Sequence, residues 1–452
     1  MSSASEPPAS APEPSSNSTT GAPPPPHDPY AAIRVPDYRL LLFGTVITFA
    51  GTQMFHVAVG WQIYEWTESK LALAFVGLAQ VLPIFLFSLV GGHVADRFDR
   101  RRIGALAQIV RACSSLAMLW IASTRGPVEA VYVCLFVNGT TRAFHAPART
   151  ALLPQILPLE LFESAVRWNT TGFQLASVCG PALGGLVIAV TGETWPVFLF
   201  DAATSAVNAL CLLSIRKLKP HANREPASVE SLLGGLRFVW NTKVMLAAIT
   251  LDLFAVLLGG IQALLPVYAK DILQVGAQGQ GWLRAAESAG ALAMALAMAH
   301  RPPIRHAGKV LLWSVAGFGA SIVVFGLSTN FWLSLVALGL CGACDNISVV
   351  IRHTLMQLRT PNEMRGRVAA VNMVFIASSN ELGQVESGLV AHYFSEVFAA
   401  VSGGLGTILV VALAALRWPE LRRLGALREE EAAPPAGAEA PPVQTAMKSD
   451  FP

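Results

Sequence analysis

Residues 71–94 read LALAFVGLAQVLPIFLFSLVGGHV, and residues 95–102 continue ADRFDRRR. The first stretch is long enough to cross about 30 Å of hydrocarbon as a helix rising ~1.5 Å per residue. The second places Arg97, Arg100, Arg101 and Arg102 just beyond its end. An apolar span closed by arginines is the pattern of a membrane helix leaving the bilayer on the side where basic loops are retained. The whole chain has the matching composition. Its 452 residues are 53% hydrophobic and 13% charged, with mean hydropathy +0.50; a soluble domain carries roughly a quarter charged residues. Polar side chains are too few to cover a soluble surface of this size. A net charge of +3 offers no field for nucleic acid.

Working outward from 71–94, the chain predicts twelve apolar spans: 39–63, 71–94, 103–123, 128–147, 165–190, 195–215, 246–269, 280–299, 309–328, 330–352, 367–392 and 396–416. Runs of this length fit helices, which satisfy their own backbone in lipid, and lack the alternation of barrel strands. The expected fold is an all-α membrane protein of twelve transmembrane helices in two six-helix bundles. The halves are expected at 37–216 and 246–420, joined by a cytoplasmic linker at 217–245, with Pro-, Ser- and Ala-rich disordered cytoplasmic tails at 1–36 and 421–452. Leu232, Leu233, Leu236, Phe238 and Val239, set among Glu230, Arg237 and Lys243, predict an amphipathic helix in the linker that lies on the membrane surface. Basic residues fill the even-numbered loops, while the odd ones hold little more than Lys70, Arg125 and Lys270. This asymmetry places both termini in the cytoplasm of a multi-pass inner-membrane protein.

The chain repeats itself at an offset of 203 residues: Arg149 falls on Arg352, Pro158 on Pro361, Asn169 on Asn372, Gly180 on Gly383 and Gly185 on Gly388. No gap is needed, so two related six-helix halves are expected. All six cysteines lie in apolar stretches. Cys341 and Cys344 have C-x-x-C spacing, but no further ligands surround them, so they are read as packing residues and no metal or other cofactor is expected.

Three motifs carry function. In GGHVADRFDRRR, Gly91 and Gly92 are read as ending the second helix and allowing close packing, with Asp96 at the membrane edge ready to accept bonds from an arginine or a helix N-terminus. A loop that only sets topology would explain the arginines, but not the glycines and the acid. In the fifth helix, Gly180, Pro181, Gly184 and Gly185 combine a missing backbone donor with surfaces that admit another helix. The third stretch, Phe144 to Pro154, reads FHAPARTALLP, with a counterpart LRTPNEMRGRV at 358–368.

Together these motifs resemble the major facilitator superfamily, in its drug- and siderophore-exporter branch of enterobactin-exporter-like and macrolide-efflux-like members, over about residues 37–420. The resemblance implies a small-molecule exporter working by alternating access. It also implies a gate latched by Asp96 and its arginines against Arg149 or the helix start near Arg365 and Arg367, and an antiporter motif at 180–185. Three departures stand out. Asp99 takes the place of a family glycine, the second-half loop at Arg301–Lys309 lacks the acid, and Gly51-Thr52 lacks the acid many relatives carry in the first helix.

Ionisable residues inside spans must face a cavity or a partner. Asp252, Glu287, Asp345, Glu381, Glu386 and Arg111 are the candidates for proton coupling; structural ion pairs, such as Arg111 with an acid, are the alternative, and Asp201 is a further charge within a span. Gln53, Gln62, Asn138, Gln174, Gln262 and Asn380 are candidate cavity residues, with His56 as a possible titrating neighbour and Met54, Phe55, Trp61, Phe173 and Trp282 as its apolar wall. The expected function is proton-coupled export of a small amphipathic or hydrophobic compound by a monomer in the bilayer. The alternatives are a lipid or lysolipid flippase on the same fold and a non-transporting sensor or scaffold. No nucleic-acid partner is expected. No catalytic motif or P-loop occurs, so an enzyme is not expected.

Overall fold

The computed structural model describes Asp28 and residues 30–216, 229–302, 304–361 and 364–425, with the side chains of Leu89, Asp96, Leu159, 229–232 and Ala370 outside that description. Its helices are α1 Pro36–Thr67, α2 Lys70–Arg97, α3 Arg100–Thr124, α4 Val128–Ile156, α5 Phe162–Thr191, α6 Trp195–Ser214, α7 Val229–Asn241, α8 Lys243–Leu258, α9 Leu265–Val267, α10 Gly276–Ala299, α11 Ala307–Leu327, α12 Phe331–Arg359, α13 Arg365–Tyr393, α14 Glu396–Arg417 and α15 Pro419–Arg422. Among the described residues, nine spans are long and apolar enough to cross a membrane, one of them running Lys243–Ile272 through α8 and α9. The other three long helices, α4, α10 and α13, fall short of that mark; they carry Arg142 and Arg149, Arg284 and Glu287, and Glu381 and Glu386.

Local chemistry sets the helix ends. Ser69, Asp99, Asn330 and Ser395 accept a backbone N–H from the first turn of α2, α3, α12 and α14. Gly192 ends α5 at φ +72°, a left-handed conformation open to glycine without strain. Gly91 and Gly92 do not end α2, which runs on to Arg97. Gly91 instead marks a close crossing, where a Cβ would stand 2.3 Å from the carbonyl oxygen of Ala143 on α4.

The repeat is written into the architecture. α4 and α12 are both 29 residues long and begin 203 residues apart, at 128 and 331. The packing partners repeat as well: α2 with α4 and α10 with α12, α3 with α6 and α11 with α14, α1 with α5 and α6, and α8 with α13 and α14. The register holds to the residue, since Gly180 packs on Gln53 while Gly383 packs on Val256. The halves meet through α5 on α10 and α2 on α13.

At the end bearing the α1–α2 turn, this meeting is tight. A Cβ on Gly185 would lie 2.5 Å from the Ala277 carbonyl oxygen, and one on Gly281 the same distance from that of Pro181. Lys270 pairs with Glu68 at 3.2 Å, Lys70 pairs with Glu396, and the Tyr64 hydroxyl donates to Asp271; all three contacts join the two halves. Trp61 packs against the cores of both.

Chain outside the expected halves is also ordered. Ala32 is fully buried beside Tyr38 and Leu157. Leu421 and Leu424, expected in the C-terminal tail, pack under α11, where Ala307 and Gly308 donate to the carbonyls of Gly425 and Leu424. The remaining tail residues, 1–27, 29 and 426–452, and residues 217–228 of the linker lie outside the described residues. α7 realises the amphipathic linker helix: Val239 is buried against α13 while Leu233 and Trp240 are exposed. Glu230 and Leu232 fall outside the described side chains.

Overpacking a well-fitted contact costs about 1–3 kcal/mol. Gly185→Val therefore separates the halves at the α1–α2 end. A cysteine placed at Trp61, in a chain lacking its six native cysteines, is expected to react with a water-soluble thiol reagent several-fold faster in this variant. An unchanged rate would show that the glycine contact does not hold this end shut.

Candidate functional site

Between the halves lies a cavity of about 680 Å³. It is joined through Gln53, His56 and Arg142 to a side pocket of about 290 Å³. Its walls reach from Arg284 and Gln262 to His353 and Asn372, toward the basic end of the bundle. Gln53, Gln174, Gln262, Asn380, Glu287, Asp345 and Glu381 all line it.

Charge divides by half. α10, α12 and α13 bring Glu287, Asp345 and Glu381, with Arg284 among them. Gln262 donates its amide to both oxygens of Glu287, at 3.0 and 3.2 Å. Arg142 of α4 bridges the halves, its Nη1 3.0 Å from Oε1 of Glu381. Among the described residues, neither Glu287 nor Asp345 is in an ion pair.

Three candidates for proton coupling have other surroundings. Arg111 donates to both oxygens of Asp201 at 3.3 and 2.9 Å, and Ser115 adds a bond of 2.6 Å. Asp252 is paired with Arg352. Both pairs are buried, as charges among apolar helices must be unless water reaches them. Glu386 is half-buried, accepts from Ser387 at 3.3 Å and does not line the cavity.

Gln62 also stands apart. Its carbonyl oxygen accepts from Thr194, 2.7 Å away, near the closed end. Asn138 is buried next to the α2–α4 crossing. Of the apolar wall residues, Phe173 lines the pocket, Met54 and Phe55 belong to the first-half core, and Trp282 is exposed. Sequence reasoning missed Arg142, His145 and Arg284. Arg142, His145 and Arg149 follow i, i+3, i+7 on α4, and that common face was the available signal.

The loop motif is spread out. Arg101 is held by Asp99, with Nη2 2.8 Å from Oδ2, and also donates to the Ile215 carbonyl. The bond from Arg101 holds the Asp99 carboxyl below its ordinary value against a smaller opposing effect of burial. Arg100 donates to the carbonyls of Ala95 and Ala151, tying the loop to α4. Arg97 and Arg102 are exposed. Arg365 donates to the Thr360 carbonyl at 3.4 Å, and Arg367 lies under α7, where a Cβ on Gly235 would meet its backbone at 2.8 Å. Arg149 is not at the loop; it lines the side pocket, 4.8 Å above the ring of Phe173. The Asp96 side chain lies outside the described residues.

Removing one partner of a buried pair costs about 3–5 kcal/mol, whereas apolar replacement of both is tolerated. Asp201→Ala is expected to lower the thermal unfolding temperature of the purified protein markedly, and Asp201→Leu with Arg111→Met to restore most of the loss. An Asp201→Ala protein as stable as the parent would rule out a structural role for the pair.

The transmembrane secretion effector family profile matches residues 27–451. Enterobactin exporter EntS from Shigella boydii serotype 18 is 27% identical over 392 residues, covering 86% of this chain and 93% of that protein. The protein of the same name from Escherichia coli O139:H28 matches at the same identity and coverage. Among solved structures, a bacterial homologue of the human lysosomal transporter Spinster, inward-facing and occupied, superposes with TM-score 0.65 at 14% identity, covering 88% of this chain and 98% of that one. A bacterial homologue of the iron transporter ferroportin, inward-facing, gives TM-score 0.63 at 16% identity, covering 84% and 98%. The chain belongs to the transmembrane secretion effector family of major facilitator superfamily transporters.

Proposed function

We propose that this transporter is a proton-driven exporter of a small amphipathic or hydrophobic compound, working by rocking of its two halves about the central cavity. The observation that carries this reading is the pairing of one closed end with a polar cavity holding two acids, Glu287 and Asp345, outside any ion pair among the described residues. A carboxyl outside any ion pair exchanges protons more readily near neutral pH than one fixed in a salt bridge. Asp252, in contrast, is held by Arg352. The basic loops support a cytoplasmic basic end, with both termini on that side and the chain in the inner membrane. The named relatives are enterobactin exporters, which supports export as the direction. One chain supplies the whole cavity, which supports a monomer as the working unit.

The test begins with cells that do or do not produce the protein, loaded with dyes, antibiotics and siderophores. A compound whose retention falls is then used in inside-out proteoliposomes. Acidifying the lumen is expected to drive its accumulation about tenfold or more. Glu287→Gln is expected to abolish the response to the gradient while exchange of the compound continues. Flux indifferent to the gradient in the parent protein would exclude proton antiport.

Asp96 and the arginines after it are assigned the latch that holds the basic end closed in the opposite state. Asp96→Asn is expected to reach the membrane in normal amount and to lower efflux several-fold. Full efflux by this variant would remove the latch.

A further inference from the structure

The two halves treat one arginine differently. Arg149 and Arg352 are equivalent by the 203-residue offset. In the second half, Asp252 of α8 neutralises Arg352. The offset carries Asp252 onto Phe49 of α1, and the matching contacts of Gly180 with Gln53 and of Gly383 with Val256 hold the helices in that register. So in the first half an aromatic ring stands where the counter-ion should be. Phe49 meets Phe173 edge to face, centroids 4.8 Å apart, and the Arg149 guanidinium lies over the other ring. Among the described residues, no carboxylate is within ion-pair distance of Arg149. The other arginines of the side pocket are taken: Arg111 by Asp201 and Arg142 by Glu381. His56 and His145 complete its titratable lining.

We infer that the side pocket is a binding subsite for an aromatic anion, with Arg149 holding the carboxylate or phenolate of a ligand whose ring packs on Phe173 and Phe49. A guanidinium offers a planar fork to an oxyanion while its face stacks on an aromatic ring. The ligand's anionic group thus plays the part toward Arg149 that Asp252 plays toward Arg352. Of the 680 Å³ cavity and the side pocket, the smaller one fits one or two rings, leaving the rest of the ligand to the larger. This names the substrate class within the proposed export function and rests on it.

The test measures binding, without any gradient, to the purified full chain in lipid nanodiscs by calorimetry, with empty nanodiscs subtracted. The probes are 2-naphthoate and 2-naphthamide, alike in shape and different in charge. A charged hydrogen bond of about 1.5–3 kcal/mol corresponds to roughly a tenfold preference or more for naphthoate. Phe49→Asp supplies the missing counter-ion and is expected to erase that preference, while weakening both probes through the loss of one of the two rings they pack on. Arg149→Gln is expected to erase the preference without removing a ring or adding an acid. Equal binding of the two probes, binding of neither, or a preference that survives both substitutions overturns the subsite. Failure of the gradient experiment would leave this readout standing, and failure here would leave proton-driven flux standing.

Discussion

A charged side chain among apolar helices has two stable surroundings, a counter-charge or water, and the interior of this protein is sorted by that choice. Arg111 with Asp201 and Arg352 with Asp252 take the first, buried between helices of one half. Glu287, Asp345, Arg284 and Arg149, in no ion pair among the described residues, line the cavity and its side pocket. Of the charges named on α4, α10 and α13, all but Glu386 line the cavity or its side pocket, so these helices are the least apolar because of where they stand. Hydrocarbon supplies no hydrophobic drive between helices, so close fit must do so. Gly91, Gly180, Gly184 and Gly185 provide it by letting backbones approach without a Cβ between them.

The contacts between halves differ in kind from those within them. Inside each half, helices repeat the same partners through the offset of 203. Across the halves, glycine contacts and surface ion pairs concentrate at one end. Lys270 and Glu68 are partly exposed, and an ion pair in water contributes little. A joint made of close backbone contact and weak ion pairs can separate at modest cost, as a rocking mechanism requires.

Much of this was legible in the sequence because it depends on composition and spacing. Spans, loop charge and the repeat are local or periodic signals, and the amphipathic stretch became α7. The cavity was legible in part. Gln53, Gln174, Gln262 and Asn380 line it, but Gln62 and Asn138, equally polar on equally apolar helices, do not. What separates them is the rotation of each helix about its axis, and that is set by partners distant in the chain. The same limit explains why Asp252 and Asp345 read alike in sequence: only the fold brings Arg352 to the first. Gly91 and Gly92 look like a helix stop in the sequence because they precede a charged loop. The helix passes through them because α4 crosses there and needs the space.

The gapless repeat carries a consequence for how such a chain can diversify. Two copies of one six-helix plan have drifted apart in the cavity, the first toward arginine and aromatic rings, the second toward acids. Because these sets sit on different helices, each can change while the other stays fixed. Under the proposed subsite, selection acting on what is recognised can work through α1, α4 and α5, while the acids proposed for coupling on α10, α12 and α13 are left as they are. On that proposal, duplication followed by division of labour lets a lineage alter its cargo without rebuilding its engine.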